Sequence, residues 1–303
     1  MQTTRMNLLG KRVLGAAVCS AMLSLGVAGP AAAQDQAKMR LGWVAWSSNE
    51  MTTRLAKEVL EQEHDVDVEL VLSDAGALYQ GVAGGSIDAM LVSWRPETHA
   101  DYVEKTQADT VNLGVLFGYA KLGWVVPDYV PKDQLNSIAD LKKESVRDKL
   151  DGIIQGIDPG AGLTRLSKQA VEDYELDDYN LRTASGAAMT ASLDRAIRNE
   201  DWIVVTGWSP HWKFGAHDLR YLEDPKTSLG KIERNHIVAR KGFYQEQPKL
   251  ALTLNRMYID IEELQALMYQ AQETSYEEAA KQFVADNPER VDYWAHNEIP
   301  SGN

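Results

Sequence analysis

The sequence predicts an α/β protein built as two lobes, with two crossing segments between them and a cleft where the lobes face each other. Strand-like and helix-like stretches alternate in two separate blocks, the rhythm of parallel sheets covered by helices. Two extended apolar stretches, "LGWVVP" (122–127) and "HIVARKGF" (236–243), divide the blocks, and only helical patterns follow the second. The expected division is 34–124 with 239–303 for one lobe and 125–238 for the other.

The first stretch is expected to lie outside the fold. "MQTTRMNLLGKR" carries Arg5, Lys11 and Arg12, and the apolar run Val13 to Ala28 ends in "GPAAAQ". A basic head, a short apolar core and an A-x-A exit form the pattern of a secretory signal, residues 1–33, cleaved after Ala33 on the way to the periplasm. A membrane anchor is the alternative, but the run falls short of the about 20 residues a spanning helix needs. Cys19, the only cysteine, lies inside this segment, so the exported chain would need no disulfide. Without the segment's three basic residues, 28 Lys and Arg face 44 Asp and Glu, a net charge of −16. So acidic a chain is a poor candidate for nucleic acid or an anionic membrane. No strong metal spacing appears, and neither metal nor cofactor is expected. Roughly 270 residues remain, enough for two lobes with proper cores.

"MRLGWVAW" reads as a strand, and Asn49 is expected to start a helix whose Met51, Leu55, Val59 and Leu60 recur at helical spacing. "VDVELVLSD" is a second strand, "ALYQGVAGG" a helix closed by Gly84 and Gly85, and "SIDAMLVSW" a third strand. In the second block a strand is expected to end at Ile157, and a helix starts near Leu163 after the glycines of "GIDPGAGL". The strand "NLRTAS", the helix "AAMTASLDRAIRNE" and the strand "DWIVVTGW" follow. In the tail, "PKLALTLNRM" is one helix. Asp260 with Glu263, and Ser275 with Glu278, have the spacing of capping boxes that open two more.

Three tryptophans fall where strands give out: Trp46, Trp94 and Trp208. In open parallel sheets, ligands sit beyond the carboxyl ends of strands. Two of these indoles come from the first lobe and one from the second, so they are expected to converge on the cleft. Trp43, Trp124 and Trp202, inside or at the start of strands, read as packing residues. A box of indole faces suits a cation that water holds weakly, such as a quaternary ammonium. Three faces supply about 2 to 6 kcal/mol, whereas a micromolar ligand needs about 8. Something must hold the ligand's other end. Gly160 and Gly162 bare the backbone at a helix start whose first amides have no partner inside the helix, which makes a carboxylate site. Charge-assisted bonds contribute roughly 1.5 to 3 kcal/mol each, so two or three close the gap. His99, five residues after Trp94, is a candidate for one more bond, while His211 and Trp212 read as packing near Trp208.

"VAWSSNE", "AMLVSWRPETH", "KLGWVVP", "GIDPGAGL", "SGAAMTASLDRA", "VVTGWSPHWKF", "LRYLEDPK" and "HIVARKGF" together resemble the glycine-betaine-binding proteins of ABC importers. The likeness covers nearly all of the chain beyond residue 33. It implies the type II periplasmic-binding-protein fold and a tryptophan prism for the trimethylammonium group at Trp46, Trp94 and Trp208. It also implies carboxylate contacts from the amides of Gly162 and Leu163 and from His99, and an ABC permease as partner of a monomeric, non-enzymatic receptor. The family often has an acid directly after the first tryptophan, where this chain has Ser47.

Alternatives of the same fold are receptors for choline, carnitine or dimethylsulfoniopropionate. Choline has no carboxylate and calls for a buried acid near the cage, with Asp158 and Glu97 as candidates. An exported hydrolase would need a nucleophile beside a base; "TGWSPH" lacks the G-x-S-x-G pattern, which leaves Ser209 with His211 as the one candidate pair. A carbohydrate receptor would set Arg95 and Asn49 beside the indoles but has no use for the glycine turn.

Overall fold

Strand β1 (Ala37–Trp43) pairs in parallel with β2 (Val66–Leu72) and β3 (Ala89–Arg95). The computed structural model describes residues 37–298, and the expected signal segment, 1–33, lies outside them. Helices α1 (Ser47–Glu63) and α2 (Ala75–Ala83) make the returns between these parallel strands. The periodic Met51, Leu55, Val59 and Leu60 of α1 are all at most 1% exposed. Short α3 (Ala100–Thr106) then leads into β4 (Thr110–Pro127), an 18-residue strand.

β4 belongs to both halves of the sheet. Its first part pairs antiparallel with β9 (Glu233–Arg240), and from Lys121 onward it pairs with β7 (Val205–Ser209). The second half also holds β5 (Ile153–Gln155), β6 (Asn180–Arg182) and β8 (Leu219–Tyr221), giving the order β2-β1-β3-β9-β4-β7-β5-β6 with β8 on β4. Its helices are α4 (Glu144–Lys149), α5 (Gly162–Asp173), α6 (Gly186–Asn199) and α7 (Lys213–Ala216). β9 returns the chain to the first half, where α8 (Phe243–Glu246), α9 (Pro248–Arg256), α10 (Ile261–Gln270), α11 (Tyr276–Asp286) and α12 (Pro288–His296) complete it, with α11 lying along α1.

Several expectations need correction. "LGWVVP" is only the end of β4, whose first part the apolar pattern did not single out, because Asn112, Gly114 and Tyr119 interrupt it and the pairing to β9 is irregular there. β9 starts at Glu233 rather than at residue 236, and β5 stops at Gln155, two residues before Ile157. α1 starts at Ser47, because Asn49 is a buried tertiary residue and not a cap. Its Oδ1 accepts from the Val44 amide at 2.7 Å, and its amide group donates to the Leu91 carbonyl at 3.1 Å. Ser275 does cap α11 by accepting from the Glu278 amide, whereas Asp260 makes no side-chain cap bond at α10. Among the described residues no helix is long and apolar enough to cross a membrane, and no group of three or more His, Cys, Asp or Glu is placed to hold a metal ion.

Candidate functional site

The cleft side of the sheet is where β1, β3 and β7 end. Trp46 stands at the N-cap of α1, three residues beyond the end of β1 rather than on the strand. Trp94 and Trp208 are the next-to-last residues of β3 and β7. All three are buried, at 7%, 3% and 4% exposure. The rings of Trp46 and Trp208 lie 6.5 Å apart at 58°, and Trp94 is fixed edge-on by Phe117 at 5.7 Å.

All six sequence-predicted residues, Trp46, Trp94, Trp208, His99, Gly162 and Leu163, line one small cavity. Thr98, Leu122, Ile157 and Ala161 complete the wall. Sequence spacing missed them for different reasons. Thr98 was within sight in "RPETH", but Leu122 reaches the site only because the antiparallel register sets it opposite Trp208.

His99 is 1% exposed. Its Nδ1 accepts from the Trp94 amide at 3.2 Å, which assigns the ring proton to Nε2. Burial, above all, pushes the pKa of the ring down to about 3, so it is neutral at ordinary pH. Nε2 is buried without a partner among the described residues, a free donor on a cavity-lining ring.

Opposite it, α5 begins without a side-chain cap at Ala161. The Thr164 and Arg165 amides bond back to the Ala161 carbonyl, and Gly162 and Leu163 are the uncapped amides of that first turn. Gly162 is required by close approach. A Cβ there would stand 2.2 Å from the Thr98 carbonyl oxygen of the other half. Thr98 is itself held from behind, where Glu233 accepts the amides of Glu97 and Thr98 at 3.0 and 2.8 Å.

The two halves touch around this cavity. Asp158 accepts from Trp46 Nε1 at 2.9 Å, Tyr102 donates to the Gly160 carbonyl at 2.7 Å, and Arg165 donates to the Glu97 carbonyl at 2.9 Å. An acid therefore does touch the first tryptophan, but it comes from the far half rather than from the position of Ser47. Behind Trp208, His211 packs edge-on at 4.6 Å and also touches Trp212, while Lys213 sets its Nζ 4.4 Å from the ring centre. Ser209 and His211 do not pair: the hydroxyl bonds Tyr221 at 2.9 Å and the imidazole accepts from the Lys213 amide. Arg95 and Asn49 are likewise engaged elsewhere, Arg95 on Ser93 at 2.8 Å and Asn49 inside its own half. Trp124 packs in the core at 0% exposure, while Trp43 and Trp202 are half-buried beneath Arg54 and Lys149.

Two α/β halves that share a strand and enclose a small aromatic cavity define a type II substrate-binding protein. The chain belongs to the family of substrate-binding domains of ABC-type glycine betaine transport systems, whose sequence pattern matches residues 37–286. It is 38% identical over 155 residues to the glycine betaine/carnitine transport binding protein GbuC of Listeria monocytogenes, a match that covers 50% of this chain and about half, 52%, of that protein. Among solved structures it is similar to lactococcal OpuAC closed on glycine betaine, with 34% identity, 86% of this chain and 99% of that one covered, and a TM-score of 0.79. It is also similar to the glycine betaine/L-proline-binding protein ProX of Borrelia burgdorferi, with 32% identity, 85% and 96% covered, and a TM-score of 0.80. This is a family of transport binding proteins.

Proposed function

We propose that this chain captures glycine betaine, and related betaines, in the periplasm and delivers it as a monomer to an ABC permease after removal of residues 1–33. The lobes are 34–124 with 239–303 and 125–238, and the ligand is gripped where they meet. The observation that carries the reading is that three indoles, two bare helix amides and a neutral histidine with an unpaired N–H all line one small cavity. The indoles receive the trimethylammonium head, which offers no hydrogen-bond donor and interacts through ring faces. The amides of Gly162 and Leu163 and the Nε2–H of His99 receive the carboxylate, adding roughly 1.5 to 3 kcal/mol per bond to a cage that alone is too weak. Closure is selected because a ligand touching both halves binds the closed state alone.

Titration followed by tryptophan fluorescence and calorimetry tests this. Glycine betaine is expected to bind at micromolar concentration and choline far more weakly, since choline leaves three donors unpaired. Choline binding as tightly would move the reading to a choline receptor, with Asp158 as the counter-charge. Trp208→Ala is expected to weaken glycine betaine by about 1 to 3 kcal/mol with circular dichroism unchanged; an unaltered dissociation constant would remove Trp208 from the cage.

A further inference from the structure

Lys213 opens α7, five residues after Trp208, and its side chain is 0% exposed. Nζ lies 4.4 Å from the centre of the Trp208 ring and 5.1 Å from that of Phe214. It has no hydrogen-bond partner and no carboxylate within ion-pair distance among the described residues. Trp208 lines the cavity and Lys213 does not, so the amine meets the indole from outside the cavity.

An ammonium with neither partner nor water is costly to bury, and burial alone holds this lysine well below its ordinary pKa. The groups around it do not restore a charge. His211, from the same turn, is also held neutral by burial, and the Tyr221 phenol, stacked on Phe214, is pushed up by burial and bonded to Ser209. Tyr269 of α10 packs on Gly215, one turn away. Glu50 of α1 and Tyr276 of α11 line the outer groove beside Trp46, Trp208 and His211, where burial raises both pKa values.

The two faces of an indole share one π system. A positive charge on the back face draws electron density toward itself and leaves the front face a poorer partner for a second cation. It also repels that cation directly through a ring-width of low-dielectric protein. A neutral amine does neither.

We propose that Lys213 makes the capture of an onium head depend on protons: uncharged, it leaves Trp208 free to close the cage, and protonated it weakens that wall. The proposal rests on the betaine reading above and adds a group outside the cavity that sets the strength of one of its walls. The sign follows from linkage. A ligand that favours the neutral amine binds more tightly as pH rises through the titration of Lys213, and on the acid side its binding releases a proton.

The test is calorimetry of glycine betaine and of tetramethylammonium from pH 6 to pH 10, on wild type and Lys213→Met. Wild-type affinity is expected to rise on the order of tenfold with pH for both ligands, because the effect acts on the head they share. Lys213→Met is expected to bind at least as tightly with a flat profile. Parallel profiles in the two proteins, a flat wild-type profile, or a dependence confined to glycine betaine overturn the proposal; the last assigns it to the carboxylate side. Should Lys213→Met not fold, the wild-type lysine is titrated by NMR at its ε-carbon. Its pKa is expected to fall further on saturation with tetramethylammonium, and an unchanged value overturns the proposal. If neither ligand binds at any pH, the betaine reading itself fails, a result distinct from binding without pH dependence.

Discussion

His99 shows how much a single buried ring can carry. The Trp94 amide occupies Nδ1, so the next-to-last residue of β3 also sets the tautomer of the histidine five positions on. Unfolded histidine binds a proton near pH 6.5, folded His99 only near 3. Its burial therefore favours folding fully above pH 6.5, and the advantage is lost as pH falls from 6.5 to 3. The loss is on the order of 4 kcal/mol by the acid end. Denaturant melts of His99→Gln across that window are expected to show a shallower acid dependence than wild type. The same variant is expected to weaken glycine betaine by about 1.5 to 3 kcal/mol and tetramethylammonium little; equal losses would take His99 out of the carboxylate site. At this scale the tryptophans were legible, because an indole where a strand gives out is conspicuous in a string of letters. Lys213 and Glu233 were not, since nothing in their neighbours announces a charged residue inside the protein.

Helix α5 and strand β4 mark the two extremes at the scale of elements. α5 was legible because glycines bare its start and an apolar face recurs through Leu163, Leu166 and Ala170, all buried. The turn that precedes it fits the other half so closely that Gly162 has no room for a methyl group. Gly162→Ala is expected to leave each half folded while opposing closure, because the obstacle is a backbone carbonyl rather than a flexible side chain. Overpacking of this kind costs about 1 to 3 kcal/mol, here charged to the closed state. Calorimetry is expected to show glycine betaine weakened by about 5- to 150-fold, with small-angle scattering reporting a more open molecule on ligand addition than wild type. Wild-type affinity in the variant would show that the contact gives way. β4 was only partly legible. It changes partners from β9 to β7 between Ala120 and Lys121, and its first part carries polar and glycine positions that break the apolar alternation.

Across the whole molecule, the proposed closure rests on a few polar contacts between the halves around the cavity. Tyr102 to Gly160 and Arg165 to Glu97 join the halves directly, with the Arg165–Asp101 pair at 3.5 Å on the exposed rim. That rim pair is worth little on its own, while each of the two hydrogen bonds contributes about 0.5 to 1.5 kcal/mol. They exist only when the halves meet, so they act on ligand escape more than on capture. Tyr102→Phe with Arg165→Ala is expected to speed dissociation of glycine betaine by about tenfold in stopped-flow fluorescence, with the association rate nearly unchanged. A slowed association instead would mean that these residues guide entry.

By itself the sequence determined the α/β rhythm and the positions of the three indoles, the glycine turn and the histidine. These follow from local rules: periodicity, chain-breaking residues and uncapped helix amides act within a few positions of one another. Only the tertiary structure decided that six residues spread from Trp46 to Trp208 meet around one cavity, that Leu122 and Thr98 join them, and that Asp158 and Lys213 touch two of the indoles from outside it. Apart from Lys213 on Trp208, these meetings join residues far apart in the chain or run sideways through strand register, and a register is chosen by the burial of the whole sheet rather than by any short stretch of chain.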